Sequence, residues 1–224
     1  MSRIRRVTLG EYVRPPIEVD GVHSRTEPVL GYLVDHRDGL LLFDTGIGAV
    51  DPETEAHYQP RRRPLGQALA AAGATKDDIA LVVNCHLHFD HCGGNPALAG
   101  RPILVQRAEL NTARTSGYTI PELVDFTGVT YTELDGEAEL GDGVWLLPTP
   151  GRSPGHQSLV VRQADGTVVL AGQAHDSAAS FGRQVGDGGG SPWLDRLLAL
   201  DPARVLFAHD ASVWTPSMRT PNPG

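Results

Sequence analysis

The sequence predicts an α/β protein, an αββα sandwich with two β-sheets packed face to face and helices on the outside. Three observations lead there. Short stretches rich in Val, Leu and Ile recur along the whole chain, with apolar helical stretches between them. Strands outnumber helices in both halves. The 26 glycines and 17 prolines among 224 residues supply turns that a helical bundle would not need. At this length a single domain over residues 1–224 is the simplest division.

In chain order the expected strands are 4–9, 29–34, 40–44, 79–84, 103–105, 144–147, 158–162, 168–171 and 205–207, each dominated by Val, Leu or Ile. His36-Arg37-Asp38-Gly39 joins the second and third as a hairpin, because Asp-Gly accepts the positive φ of a tight turn. Ala164-Asp165-Gly166-Thr167 does the same between the seventh and eighth. A helix over 64–72 places Leu65, Ala68, Leu69 and Ala72 on one face, opens on proline and stops at Gly73. Helices are also expected over 106–116 and over 192–200, the latter with Trp193, Leu194, Leu197 and Leu198. Asp187-Gly188-Gly189-Gly190-Ser191 reads as a flexible loop.

The charge balance, 19 Lys and Arg against 27 Asp and Glu for a net −8, argues against a nucleic-acid partner, which needs a cationic stripe. Arg61-Arg62-Arg63, set between Pro60 and Pro64, reads as a solvated loop. No apolar run approaches the roughly 20 residues that span a bilayer, and none follows the charged start Met1-Ser2-Arg3-Ile4-Arg5-Arg6. The expectation is a cytoplasmic protein with no membrane partner. In that compartment Cys85 and Cys92 stay thiols, best read as small buried residues.

The informative segment is Asn84-Cys85-His86-Leu87-His88-Phe89-Asp90-His91-Cys92-Gly93-Gly94-Asn95. Four candidate metal ligands fall within six residues directly after an apolar strand. Neutral imidazole and carboxylate are ligands that zinc and its neighbours prefer. On an extended strand end His86 and His88 point to one side and reach one ion. Asp90 and His91, beyond the start of the turn, then face a second. Gly93-Gly94 leaves room for backbone to pack closely beneath.

The run His86-x-His88-x-Asp90-His91 resembles the signature of the metallo-β-lactamase superfamily. The resemblance extends over nearly the whole chain, through Phe43-Asp44-Thr45-Gly46, Thr149-Pro150-Gly151, Pro154-Gly155-His156-Gln157-Ser158 and Ala208-His209-Asp210. Within the superfamily, residues 86–95 and Phe207-Ala208-His209-Asp210 are most similar to the quorum-quenching N-acyl-homoserine lactonases. The resemblance implies two mixed sheets, His86, His88 and His156 on a first metal, and Asp90, His91 and His209 on a second. His23, His36 and His57 have no place in the pattern and read as ordinary surface or core histidines.

The resemblance also implies a metal-bridging aspartate in a Gly-Asp-Ala-like turn, and here Gly172-Gln173-Ala174 puts Gln173 at that position. Gln173 is a candidate metal ligand through its amide oxygen, but a neutral amide offers one good oxygen donor and no charge, so two close divalent ions lose a shared counter-charge. His175 and Asp176 are candidates for a substitute ligand or a substrate contact. Asp176 occupies the place where the lactonases tend to carry a tyrosine near the substrate carbonyl. The cofactor expected is zinc, as two ions or as one, with iron, manganese and cobalt also accepted by this ligand set.

The implied function is a metal-dependent hydrolase that opens a lactone ring, of the N-acyl-homoserine lactone kind, by attack of a metal-bound hydroxide. Asp90 orients the nucleophile and passes its proton to the leaving alkoxide. Two alternatives stand beside it: a metallohydrolase of another ester or thioester, and a non-catalytic metal- and ligand-binding relative. The expected partner is a small lactone or ester, with Leu110, Tyr118, Ile120, Leu123 and Phe126 as candidates for an apolar cleft, although core packing is the better reading for most of them. The protein itself is expected as a monomer or homodimer.

Overall fold

The computed structural model describes residues 4–19, 22–115, 117–188 and 190–218. The first sheet contains β1 (Ile4–Arg14), β2 (Arg25–His36), β3 (Gly39–Phe43), β4 (Arg61–Arg62), β5 (Ile79–Val83), β6 (Pro102–Gln106) and β7 (Thr130–Leu134), in the order β4-β1-β2-β3-β5-β6-β7. The second contains β8 (Ala138–Gly141), β9 (Val144–Pro148), β10 (Gln157–Gln163), β11 (Gly166–Leu170) and β12 (Pro202–Leu206), in the order β12-β11-β10-β9-β8. Both are mixed. β1, β2 and β3 pair antiparallel whereas β3, β5, β6 and β7 run parallel. In the second sheet only the β11–β12 pairing is parallel.

The helices are α1 (Pro52–Tyr58), α2 (Leu65–Ala71), α3 (Phe89–Cys92), α4 (Arg107–Ala113), α5 (Pro121–Val124), α6 (Ala178–Gly186) and α7 (Pro192–Leu198). Side-chain alternation on the strands explains the layering. Leu30, Tyr32 and Val34 of β2 and Leu41 and Phe43 of β3 face Leu159 and Val161 of β10 and Val168 and Leu170 of β11, forming the core between the sheets. The intervening Val29, Leu33 and Leu42 face outward, against Leu65, Ala68 and Leu69 of α2. On the far side Val160 and Val169 pack under Phe181 of α6 and Leu194 and Leu197 of α7. The result is the αββα order expected from the sequence.

Each of the nine expected strands is present, with ends shifted by a few residues, and both Asp-Gly turns close antiparallel hairpins at Gly39 and Gly166. Helices 64–72, 106–116 and 192–200 appear as the shorter α2, α4 and α7; Ser116, like Gly189 of the glycine loop, lies outside the described residues. Three strands were not expected. β7 and β8 carry Thr, Glu and Gly and hold no buried residue, so no apolar run marks them, and β4 is two arginines pairing with Gly10 and Glu11 at a sheet edge. The Arg61–Arg63 stretch is therefore partly edge strand rather than free loop: Arg61 pairs with Glu11 at 2.9 Å and Arg62 with Glu55.

Gly93 fixes the floor of the metal-ligand segment. A Cβ there would stand 1.8 Å from the Gly48 nitrogen, because residues 45–48 run directly against α3 through Thr45 N–H to His91 O, Gly48 N–H to Phe89 O and Gly93 N–H to Gly46 O, each 2.8 Å. Gly93→Ala is expected to cost about 3 kcal/mol or more, since backbone rather than a movable side chain must give way. Chemical denaturation of the variant beside the parent checks this; a loss under about 1 kcal/mol would refute it.

Candidate metal centre

The candidate ligands come from separate loops that meet at one end of the sandwich. His86 and His88 lie in the link from β5 to α3, Asp90 and His91 on α3 itself, His156 immediately before β10, Gln173 in the turn after β11, and His209 beyond β12. Except for half-buried His88 these residues are buried, and His86, His91 and His156 are wholly so. Gly172 makes the close approach of two loops feasible: its φ is +57°, and a Cβ would meet the Cys85 side chain at 2.4 Å.

Hydrogen bonds on the outer ring nitrogens settle which way each imidazole presents its lone pair. His91 Nδ1 lies 3.0 Å from Asp44 Oδ2, His209 Nδ1 3.0 Å from the Pro28 carbonyl, and His156 Nδ1 3.1 Å from the Thr149 carbonyl. Carboxylates and carbonyls only accept, so each Nδ1 donates and each Nε2 turns a lone pair inward. His91 Nε2 and His209 Nε2 then face each other at 3.1 Å, with Asp90 Oδ2 3.3 Å from both. Three lone pairs at this spacing repel unless a positive charge sits among them.

The titration of the same groups expresses that demand. Burial works to raise the Asp90 carboxyl, yet His91 and His209 hold it well below its ordinary value. Burial works to lower the His91 imidazole, yet Cys85, Asp90 and Asp44 hold it well above. A divalent cation supplies the missing charge, so these residues fit a metal ion. Among the described residues, the ligand atoms of Asp90, His91 and His209 all lie within 4.8 Å of one another, as do those of Cys85, His86 and His91.

The second group of imidazoles adjoins the first. His86 Nε2 is 2.9 Å from His88 Nδ1, and the His86 ring centroid is 5.5 Å from that of His156. Burial, with the neighbouring imidazoles, holds His86 low; burial with Arg152 brings His88 to about 4, and burial with His91 brings His156 to about 3. All three are neutral near pH 7, the form that binds a metal. Cys85 is a donor here rather than a ligand: burial pushes its thiol up to about 12, and its Sγ lies 3.1 Å from Asp44 Oδ2.

Gln173 sits beside these groups, with both polar ends of its side chain engaged by Arg152 and Asp176. Its backbone N–H donates to His156 Nε2 at 3.2 Å, its side-chain oxygen accepts from Arg152 Nε at 2.9 Å, and its amide donates to Asp176 at 3.4 Å. Asp176 is held by Arg14 at 2.9 Å. His175 packs against the Phe181 ring, 5.4 Å between centroids, and lies 6.1 Å from Trp193. Neither His175 nor Asp176 belongs to a ligand group found among the described residues.

Several residues of the site carry no mark in the sequence. Glu109 looks like a surface charge on α4, yet it is 1% exposed and accepts from the Leu87 N–H at 2.7 Å, the Ser153 hydroxyl at 2.5 Å and the Tyr118 hydroxyl. Tyr118 in turn lies with its ring centroid 4.4 Å from that of His88. Arg14 and Arg152 are equally silent in sequence. The cleft above the ligands, about 290 Å³, is lined by Tyr12, Arg14, Tyr58, Arg152, Gln173 and others. Of the apolar candidates only Tyr118 and Ile120 line it; Leu110 and Leu123 are core residues and Phe126 packs against them.

This fold with this cluster defines a metallohydrolase architecture, and the family model of the metallo-beta-lactamase superfamily matches residues 25–209. The chain belongs to that superfamily. Among curated relatives it is 34% identical over 208 residues to an N-acyl homoserine lactonase of Bacillus sp, covering 82% of this chain and 81% of the relative. It is 26% identical over 226 residues to the N-acyl homoserine lactonase AttM of Azorhizobium caulinodans, covering 87% and 86%. Among solved structures, a variant of AiiA from B. thuringiensis with N-decanoyl-L-homoserine at its active site superposes with a TM-score of 0.79 at 27% identity, covering 93% of each chain. An N-acyl homoserine lactone hydrolase with N-hexanoyl-L-homoserine at its catalytic metal centre gives 0.78 at 28%, again over 93% of each.

Proposed function

We propose that the protein is a metal-dependent hydrolase that opens the ring of N-acyl-homoserine lactones or closely similar lactones. The observation that carries this reading is the convergence of the Asp90, His91 and His209 lone pairs beside His86, His88 and His156, beneath an open cleft. Its relatives' activity supports it. His86, His88 and His156 would hold one zinc ion and Asp90, His91 and His209 a second, with Gln173 outside both sets. Bound there, divalent ions make water a nucleophile near neutral pH and polarise a carbonyl.

The chain's own residues do the rest. Asp44 and the Thr149 and Pro28 carbonyls fix the imidazoles in their ligating tautomer. Asp90, a carboxylate at neutral pH and the only one among the six, accepts the proton of the attacking water and returns it to the alkoxide released from the ring. Glu109 anchors Leu87 and Tyr118, and so keeps the wall beside His88 in place.

The test is proton release on a pH-stat with N-hexanoyl-homoserine lactone, using protein of measured metal content and the same protein after chelation. Ring opening by the loaded protein, abolished by chelator and restored by zinc, is the expected result. Failure of fully loaded protein to open any lactone in a panel of chain lengths would overturn the reading.

A further inference from the structure

Two arginines line the cleft, and their charges are disposed of differently. Arg14 is surrounded by carboxylates: Asp176 at 2.9 Å, Glu27 at 3.4 Å and Glu18 at 3.7 Å. Arg152 forms no ion pair among the described residues. Its one hydrogen bond there runs from Nε to the neutral side chain of Gln173, 2.9 Å away. Arg152 borders the cleft together with His88. The other acidic residues lining the cleft are engaged elsewhere. Glu18 pairs with His57 at 2.9 Å and accepts from Tyr58, Asp51 caps α1, and Asp90 lies with His91 and His209.

A guanidinium bordering a cleft, next to a site that itself calls for cations, favours an anion beside it. Glutamine at position 173 both orients the group and leaves its charge uncompensated. A carboxylate at 173 would have consumed that charge. The planar fork of the free nitrogens matches a carboxylate in two-point contact.

We propose that Arg152, positioned by Gln173, is the residue with which this site recognises a carboxylate carried by its substrate, so that lactones bearing a free carboxylate near the scissile ester are preferred over neutral ones. The inference rests on the hydrolase reading above and narrows its substrate class. It also accords with the polar character of the cleft, whose wall holds more hydrogen-bonding than aliphatic side chains.

The experiment compares 5-oxotetrahydrofuran-2-carboxylate with its primary carboxamide as substrates for the parent, Arg152→Gln and Arg152→Lys. Metal content and thermal midpoint are matched first, which an exposed side chain permits. The parent is expected to favour the carboxylate by about 10- to 100-fold in kcat/KM, chiefly through KM. Arg152→Gln abolishes the preference and Arg152→Lys keeps part of it, as a single-point cation would. Equal use of both lactones by the parent, or an undiminished preference in Arg152→Gln, overturns the proposal. Calorimetry of glutarate against the uncharged glutaramide on the chelated protein reads the same contact without turnover. If neither lactone is opened by protein that opens N-hexanoyl-homoserine lactone, the proposal fails while the hydrolase reading stands; if none of the three is opened, the calorimetry alone decides the anion site. Tighter glutarate binding that disappears in Arg152→Gln would still uphold the anion site, and indifference to the substitution would reject it.

Discussion

Asp90→Asn is expected to lower kcat/KM for lactone opening by about a thousandfold and to leave the protein with less metal after purification. The carboxylate has two tasks that an amide cannot share. It supplies the only negative charge among the six candidate ligands, and its position 3.3 Å from both His91 Nε2 and His209 Nε2 makes it the third corner of their site. Asparagine keeps the shape, and its amide nitrogen can donate to one of the inward lone pairs, so the metal-free fold is expected to survive. Elemental analysis, kcat/KM and a thermal melt on the same preparation separate these effects. The variant also distinguishes an enzyme from a binding relative. A hydrolase loses turnover, whereas a protein that only holds a ligand keeps its affinity; parent-like kcat/KM at parent-like metal content would exclude the role given to Asp90.

The layers of the fold could be read from the sequence because its buried strands bury both faces. Val29–Val34 and Val168–Leu170 are uninterrupted apolar runs, one face against the other sheet and one under helices, which is the pattern that sequence reading detects best. β7 and β8 were invisible for the converse reason: edge strands with no buried residue need no apolar pattern and carry Thr, Glu and Gly. α1 has no buried residue at all, and its helical state rests on the Asp51 cap and on Pro52 at its start. The six candidate ligands, which the fold brings to one end of the sandwich, stand out in the sequence because metal chemistry restricts residue type as well as spacing. Their supports do not. Glu109, Arg14 and Arg152 are ordinary charged residues in sequence, and their meaning comes from partners 9 to 162 positions away that only the fold brings near. For Arg14 those partners are Glu27 and Asp176, for Glu109 Tyr118 and Ser153, and for Arg152 Gln173. Apolar residues in one segment look alike whether they face a cavity or a core, and core packing is what Leu110, Leu123 and Phe126 show.

Gln173→Asp should tighten retention of bound metal by about tenfold or more, read as the chelator concentration that removes half of it. The backbone of that turn is fixed independently of the side chain. Gln173 N–H bonds to His156, Ala174 N–H to Ala171 O at 3.0 Å, and Ala208 N–H to Gly172 O at 2.9 Å. An aspartate there would sit on the same scaffold with a full charge, close to two groups of ligands that now share one carboxylate. Arg152 opposes the gain, because its Nε already occupies the side chain at 173 and would pair with the new carboxylate. The double variant Gln173→Asp with Arg152→Gln removes that competitor and should therefore retain the metal more tightly than the single variant. An unchanged chelation midpoint in both would mean that the charge at 173 does not reach the metals. If the midpoint rises and the preference for carboxylate lactones falls in the single variant, position 173 exchanges metal affinity for a free arginine. The substitution would then be a change of specificity within an intact hydrolase rather than the erosion of one.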